Sequence, residues 1–218
     1  LADMGAEIIK IEPPQGDHSR TRHPIRNGTS IHYAHLNCGK KSIALDLKNP
    51  AGRKAAFDIC MKSDIVVENW RPGVSARLGL DYATLSKHKP DIIYCGISGY
   101  GQTGPSAQLP GLASLVEARS GFSLAQMRLD GADKPQTAGL MLGDSLSGIW
   151  AFAGVQTALK ASADRHAQTT NTLGQVIEDV EGAPQEQVAA QILTLQTSLQ
   201  ASLQTTSMLL QTSLVKYL

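Results

Sequence analysis

Asp64–Ile97, DIVVENWRPGVSARLGLDYATLSKHKPDIIYCGI, is the stretch that decides the fold. Asp64–Val67 is a short apolar run rich in β-branched side chains, the pattern of a buried strand. It ends at Asn69-Trp70-Arg71-Pro72-Gly73, a turn by its Pro and Gly content. Residues 72–78 and 81–87 read as two brief helices, and Asp91–Ile97, rich in Ile, as the next strand. A strand, helical turns and a second strand within 34 residues imply a crossover between parallel strands. The same alternation extends in both directions. Upstream, Ala6–Ile11 and Lys41–Leu47 read as strands, and Asn49-Pro50 opens a helix over 51–62 with proline near its first turn. Glu12–Asp17 is a Pro/Gly loop, and residues 18–40 show only weak periodicity. Downstream, Gly99–Gly111 is a Gly/Pro loop, followed by a helix over 112–120 and a long apolar one over 143–160. The expected class is α/β: a partial, mostly parallel, Rossmann-like sheet with flanking helices.

Composition sets the outer bounds. The chain has 218 residues, 42% of them hydrophobic, enough for a buried core in one or two domains. Net charge is +1 with no long run of one sign, which argues against a nucleic-acid surface. No apolar run reaches the roughly 20 residues that a membrane helix needs, and no signal peptide is visible. Cys38, Cys60 and Cys95 are scattered, so neither a metal motif nor an even disulfide set is expected, and a cytoplasmic location fits. The six histidines lack metal-ligand spacing; His32 and His35 are three apart but have no evident third ligand. No metal is therefore expected. The chain opens at Leu1 directly in periodic apolar sequence, which reads as a fragment or a processed chain. From about 167 onward Gln, Thr, Ser, Leu and Ala dominate. Val188, Ile192, Leu195, Leu199, Leu203, Leu210, Leu214 and Tyr217 recur near a helical period. The expected organisation is a domain over 1–165, a linker over 166–184 and an amphipathic helical tail over 185–218.

Two segments carry candidate chemistry. The first is the Asn69-Trp70-Arg71 turn. Strand ends in open α/β sheets are common ligand sites; Trp70 could stack on an adenine ring and Arg71 could meet a phosphate. A Trp70 that plugs the core is the plainer alternative. The second is Leu142-Gly143-Asp144-Ser145-Leu146-Ser147-Gly148, with Asp144 at a helix start. An aspartate there is ordinarily a cap. It could also be a nucleophile that attacks a thioester, with backbone N–H groups stabilising the developing charge. Lys40, Lys41, Lys48 and Arg77 lie near predicted element ends, as solvated surface or as phosphate contacts.

Five segments in order then resemble one family. Leu1–Pro14 (LADMGAEIIKIEPP) resembles its LADxGAEVIKVEPP opening; Asn37–Leu47 its NxGKRSxxLDL; Asp64–Leu80 its DVxVENFRPGxxxRLGL; residues 90–105 (PDIIYCGISGYGQTGP) its PRLIYCSISGFGQTGP; and Leu142–Gly148 its GDSxSG. Over about 160 residues the chain is similar to family III CoA-transferases, the formyl-CoA transferase and carnitine CoA-transferase group. The resemblance implies transfer of CoA between carboxylic acids through an aspartyl anhydride and an aspartyl-CoA thioester, without metal. It carries the catalytic carboxylate onto Asp144 and CoA contacts onto Leu45, Lys48, Asn69, Trp70 and Arg77, beside the Arg71 already singled out. Acyl-CoA and a carboxylic acid are the implied substrates; a homodimer and a helical partner for the tail are the macromolecular partners left open.

Departures from the family pattern are also visible. Relatives begin some 20–30 residues earlier and usually run to about 400, which makes full activity doubtful. After Gly111 many carry an aromatic residue or His followed by an acid, where this chain has Leu112 and Ala113, against racemase chemistry. Residues from about 171, notably LQTSLQASLQTTSMLLQTSLVKYL, are similar to the C-terminal helix of flagellin and hook-associated proteins. The alternative expectations are thus a helical assembly module, or a chimera without function.

Overall fold

The computed structural model describes residues 1–135 and 142–180, together with the helical positions 193, 194, 196 and 197. The chain divides into two compact units, Leu1–Ser63 with Ser75–His88, and Asp64–Val74 with Lys89 onward.

In the first unit β1 (Ile8–Glu12) pairs in parallel with β4 (Lys40–Ala44), in a register running from Ile8 opposite Lys40 to Glu12 opposite Ala44. A parallel pair needs a crossover. Here it contains a 3₁₀ turn at His18–Thr21, a minimal antiparallel hairpin of β2 (Ile25–Arg26) and β3 (Thr29–Ser30), and α1 (Ile31–Asn37). Periodicity in 18–40 is weak because these pieces are too short to show one. Ser30 organises the junction. Its hydroxyl donates to the Arg22 carbonyl at 2.6 Å and accepts the Tyr33 N–H at 3.2 Å, capping α1. Next comes α2 (Pro50–Met61), capped by Asn49 with Pro50 in its first turn as expected. It buries Ala56 and Cys60 and packs against α4 (Tyr82–Leu85), whose Leu85 is fully buried. Between the units in sequence lies α3 (Val74–Leu78).

In the second unit β5 (Ile65–Glu68) pairs in parallel with β6 (Ile93–Gly96), Ile65 opposite Ile93 and Glu68 opposite Gly96. Both long pairs are therefore parallel, as the alternating pattern requires, while the hairpin is antiparallel. Beyond β6 come α5 (Ala113–Arg119), α6 (Phe122–Asp130) and α7 (Leu142–Val180). The sequence reading had no helix at α6, whose apolar residues form no sustained stripe. It also ended the last helix at 160, whereas α7 continues for 39 residues and includes 166–180, positions read as linker. Only part of α7 is buried: Val155 and Ala158 are covered, while Leu146, Ile149 and Trp150 are exposed. It packs on α5 and on β6.

The loop from β6 to α5 closes on itself at Gly99 and Gly111. A Cβ on Gly111 would stand 2.5 Å from the Gly99 Cα, so the two backbones touch where no side chain fits. Gly111→Ala is expected to push the loop ends apart and to cost roughly 1–3 kcal/mol, read as a lowered denaturation midpoint in urea.

Candidate functional site

The C-terminal ends of β1 and β4 meet a dense polar network in the first unit. Glu12 ends β1 and is buried. Arg20 donates to its two oxygens, from Nε at 2.7 Å and Nη2 at 3.0 Å. Tyr33 (2.8 Å), Ser42 (2.9 Å) and the Asp17 N–H (3.0 Å) donate as well. The Arg20 guanidinium also lies 4.2 Å from the Tyr33 ring centre. These donors hold the Glu12 carboxyl at about 2, from 4.5, with Arg20 contributing most and burial opposing. Burial pushes the neighbouring Asp17 upward, but hydrogen bonds from Lys10 (2.7 Å) and Ser19 outweigh it and leave the carboxyl well below its usual range. This network was not anticipated from the sequence. Its legible trace is an acid closing an apolar strand before a Pro/Gly loop, with an arginine eight residues on.

Two sequence candidates follow β4. The Glu12 carbonyl accepts the Leu45 N–H at 2.8 Å, extending the strand pairing just past β4. Lys48 follows in a turn where its N–H donates to Asp46 Oδ1 at 2.9 Å; its side chain is exposed. Arg77, in the last turn of α3, is also exposed. Lys40 and Lys41 are already engaged. Lys40 Nζ donates to the Leu36 carbonyl at 2.7 Å, and burial lowers its pKa; Lys41 pairs with Glu7 at 2.7 Å on the surface.

In the second unit the strand ends carry the Asn69–Arg71 turn. Asn69 and Arg71 are exposed and Trp70 is half-buried. Glu68 closes β5, buried, and accepts the Trp70 N–H at 2.6 Å. Burial raises its pKa, while the Trp70 N–H and the Tyr94 hydroxyl draw it back down.

Asp144 is the third residue of α7, inside its first turn rather than before it, and is exposed. The helix expected over 143–160 is described from Leu142, which leaves Asp144 at the helix start as read. The first four N–H groups of a helix have no partner within it, and here they include those of Gly143 and Ser145. The Gly143 N–H faces a carboxylate instead, Glu117 Oε1 at 3.5 Å, and the Ser147 hydroxyl donates to the Gly143 carbonyl at 2.6 Å. Glu117 is buried on α5, and nothing in its sequence surroundings marked it. Among the described residues no group of three or more His, Cys, Asp or Glu side chains could hold a metal ion, and no helix is long and apolar enough to cross a membrane.

The family model for CoA-transferase family III matches residues 1–205. The chain belongs to that family. The match continues past the composition change near 165–170. The chain is 41% identical over 162 residues to the acetyl-CoA:oxalate CoA-transferase of Acetobacter aceti, covering 74% of this chain and 41% of that protein. It is 39% identical over 163 residues to the human succinyl-CoA:glutarate CoA-transferase, covering 73% and 36%. Among solved structures, a CaiB/BaiF family protein of Brucella suis superposes with a TM-score of 0.69 at 31% identity, over 76% of this chain and 45% of that one. A Mycobacterium tuberculosis protein does so with 0.66 at 32%. The chain thus spans about two fifths of the length of these family III relatives. The flagellin-like segment falls outside the described residues, apart from positions 171–180, 193, 194, 196 and 197.

Proposed function

We propose that this chain carries the nucleophile and part of the CoA-binding surface of a family III CoA-transferase. The observation that carries the reading is Asp144: an exposed carboxylate in the first turn of α7, within the Gly-Asp-Ser segment of a chain that belongs to the family. A carboxylate Oδ of Asp144 attacks the acyl-CoA carbonyl and expels CoA thiolate, leaving an aspartyl–acyl anhydride. The thiolate then attacks the aspartyl carbonyl of the anhydride, which releases the first carboxylic acid as its carboxylate and leaves an aspartyl-CoA thioester. The acceptor carboxylate attacks that thioester and expels the thiolate again. Attack of the thiolate on the acceptor's acyl carbon yields the new acyl-CoA and frees Asp144. The Ser145 N–H, at the positive end of α7, is suited to the oxyanion of each addition; the Gly143 N–H serves only if it turns from Glu117.

The family resemblance suggests CoA contacts at Leu45, Lys48, Asn69, Trp70 and Arg77, and Arg71 is added as a cation suited to a phosphate. Lys48, Arg71 and Arg77 are exposed cations suited to phosphates, and half-buried Trp70 presents a face for the adenine. Trp70→Ala is expected to weaken CoA binding roughly tenfold, the scale of one lost base–aromatic stack, as read by titration calorimetry.

The test of the chemistry is trapping. The protein is incubated with acetyl-, formyl- and succinyl-CoA, quenched with hydroxylamine and digested. A hydroxamate on the peptide containing Asp144 supports the reading; a hydroxamate elsewhere, or none from a folded protein, rejects it for this chain.

A further inference from the structure

Glu68 is a carboxylate with no place in the chemistry above, yet it stands beside the residues assigned to CoA. Three observations bear on it. It is the last residue of β5 and only 8% exposed. Its Oε2 accepts the main-chain N–H of Trp70, two residues on, at 2.6 Å. Its Oε1 lies against Gly96, directly opposite it in the parallel register, where a Cβ would stand 2.7 Å away and also 3.1 Å from Gln102 Nε2. The carboxylate thus occupies the space that any side chain at position 96 would take.

A polar side chain at a buried strand end is costly unless it makes a hydrogen bond that an apolar residue cannot. Burial does push the Glu68 pKa up, and the Trp70 N–H and Tyr94 hydroxyl offset this. What the side chain does geometrically is tie the Trp70 N–H back to the end of β5, so that residues 69–71 leave the strand held at that point ahead of the turn at Pro72–Gly73. That segment carries the exposed Asn69 and the half-buried Trp70.

We infer that Glu68 is a positioning residue for CoA, an acceptor that holds the Asn69–Trp70 turn in its binding conformation, and that Gly96 is required because its missing side chain houses the Glu68 carboxylate. The inference rests on the CoA assignment of Asn69 and Trp70. It adds that the turn is set from behind by a group that does not itself touch the ligand.

The role needs a hydrogen-bond acceptor at position 68, not a charge, which separates it from a general contribution to stability. Four single variants, Glu68→Gln, Glu68→Ala, Gly96→Ala and Trp70→Ala, are compared in CoA affinity by calorimetry, and the first three also in Trp70 amide hydrogen exchange by NMR. Glu68→Ala and Gly96→Ala are expected to speed Trp70 amide exchange and to weaken CoA roughly tenfold, about one hydrogen bond's worth of order in the turn. Glu68→Gln keeps the acceptor and is expected to restore both readouts to near wild type. Gly96 is exposed, so its alanine variant carries the test if Glu68→Ala fails to fold. If Trp70→Ala weakens CoA while Gly96→Ala does not, or if Glu68→Gln is as impaired as Glu68→Ala, the positioning role is wrong and the CoA assignment stands. If the unsubstituted chain takes up no CoA, or Trp70→Ala binds it normally, the CoA assignment of the turn falls and this inference with it.

Discussion

Asp144→Ala is expected to abolish covalent capture of the acyl group, with hydroxamate formation falling on the order of 10⁴-fold or more, the scale of losing a covalent nucleophile. The position makes this a sharp test. Asp144 is exposed in the first turn of α7, and no side-chain hydrogen bond links it to the described residues around it. Among the described residues its removal therefore withdraws no packing, and the thermal midpoint is expected to stay within about 2 °C, since an exposed substitution usually changes stability by less than about 0.5 kcal/mol. A favourable helix–charge interaction lost at the N-terminus falls in the same range. Asp144→Asn retains that first-turn geometry but offers a poor nucleophile, so it should be as inert as alanine. A variant that loses capture and also unfolds would mean that Asp144 is structural. A variant that still captures acyl groups would place the nucleophile on another residue.

Glu12→Ala should have the largest effect on stability, roughly 2–4 kcal/mol, measured as the urea midpoint at neutral pH. The residue is almost wholly enclosed, and its two oxygens receive five hydrogen bonds from Arg20, Tyr33, Ser42 and the Asp17 N–H. Without it, half-buried Tyr33 loses an acceptor, while the exposed Ser42 hydroxyl can turn to water. Arg20, 42% exposed, recovers part of its solvation from water, which keeps the loss below that of a fully buried pair. The pH dependence follows from the lowered carboxyl pKa, about 2 in the folded chain against 4.5 otherwise. A carboxyl whose pKa falls on folding contributes stability fully above 4.5 and loses it as pH drops toward 2. The wild-type midpoint should therefore decline through that window, and Glu12→Gln should decline less. Equal acid sensitivity in the two proteins would show that the Glu12 network does not govern acid unfolding. Asp17, also held low, shifts stability in the same direction and adds to the residual slope.

How legible these features were depends on how local they are. The β1, β4, β5 and β6 segments and the Asn49-Pro50 helix start each announce themselves within a few residues, by apolar runs and turn chemistry. Asp144 could be proposed because the Gly-Asp-Ser segment is contiguous. The α1 helix and its hairpin were not legible, since seven helical residues and two-residue strands carry too little periodicity, and the far end of α7 was hidden because its exposed polar face resembles a linker. Glu117 had no local sign at all: its partner, the Gly143 N–H, lies 26 residues away.

By itself, then, the sequence determined the α/β class, the parallel sense of the strands, the family and the carboxylate expected to react, because each follows from short-range pattern or from contiguous motifs. Tertiary structure alone decided which acids are buried and what holds them. Glu12 meets Arg20, Tyr33 and Ser42 across 8, 21 and 30 residues, and Glu68 meets Gly96 across a parallel register. A carboxylate's burial, its pKa and its hydrogen-bond partners depend on which distant backbone is brought against it, and that is fixed only when the strands pair.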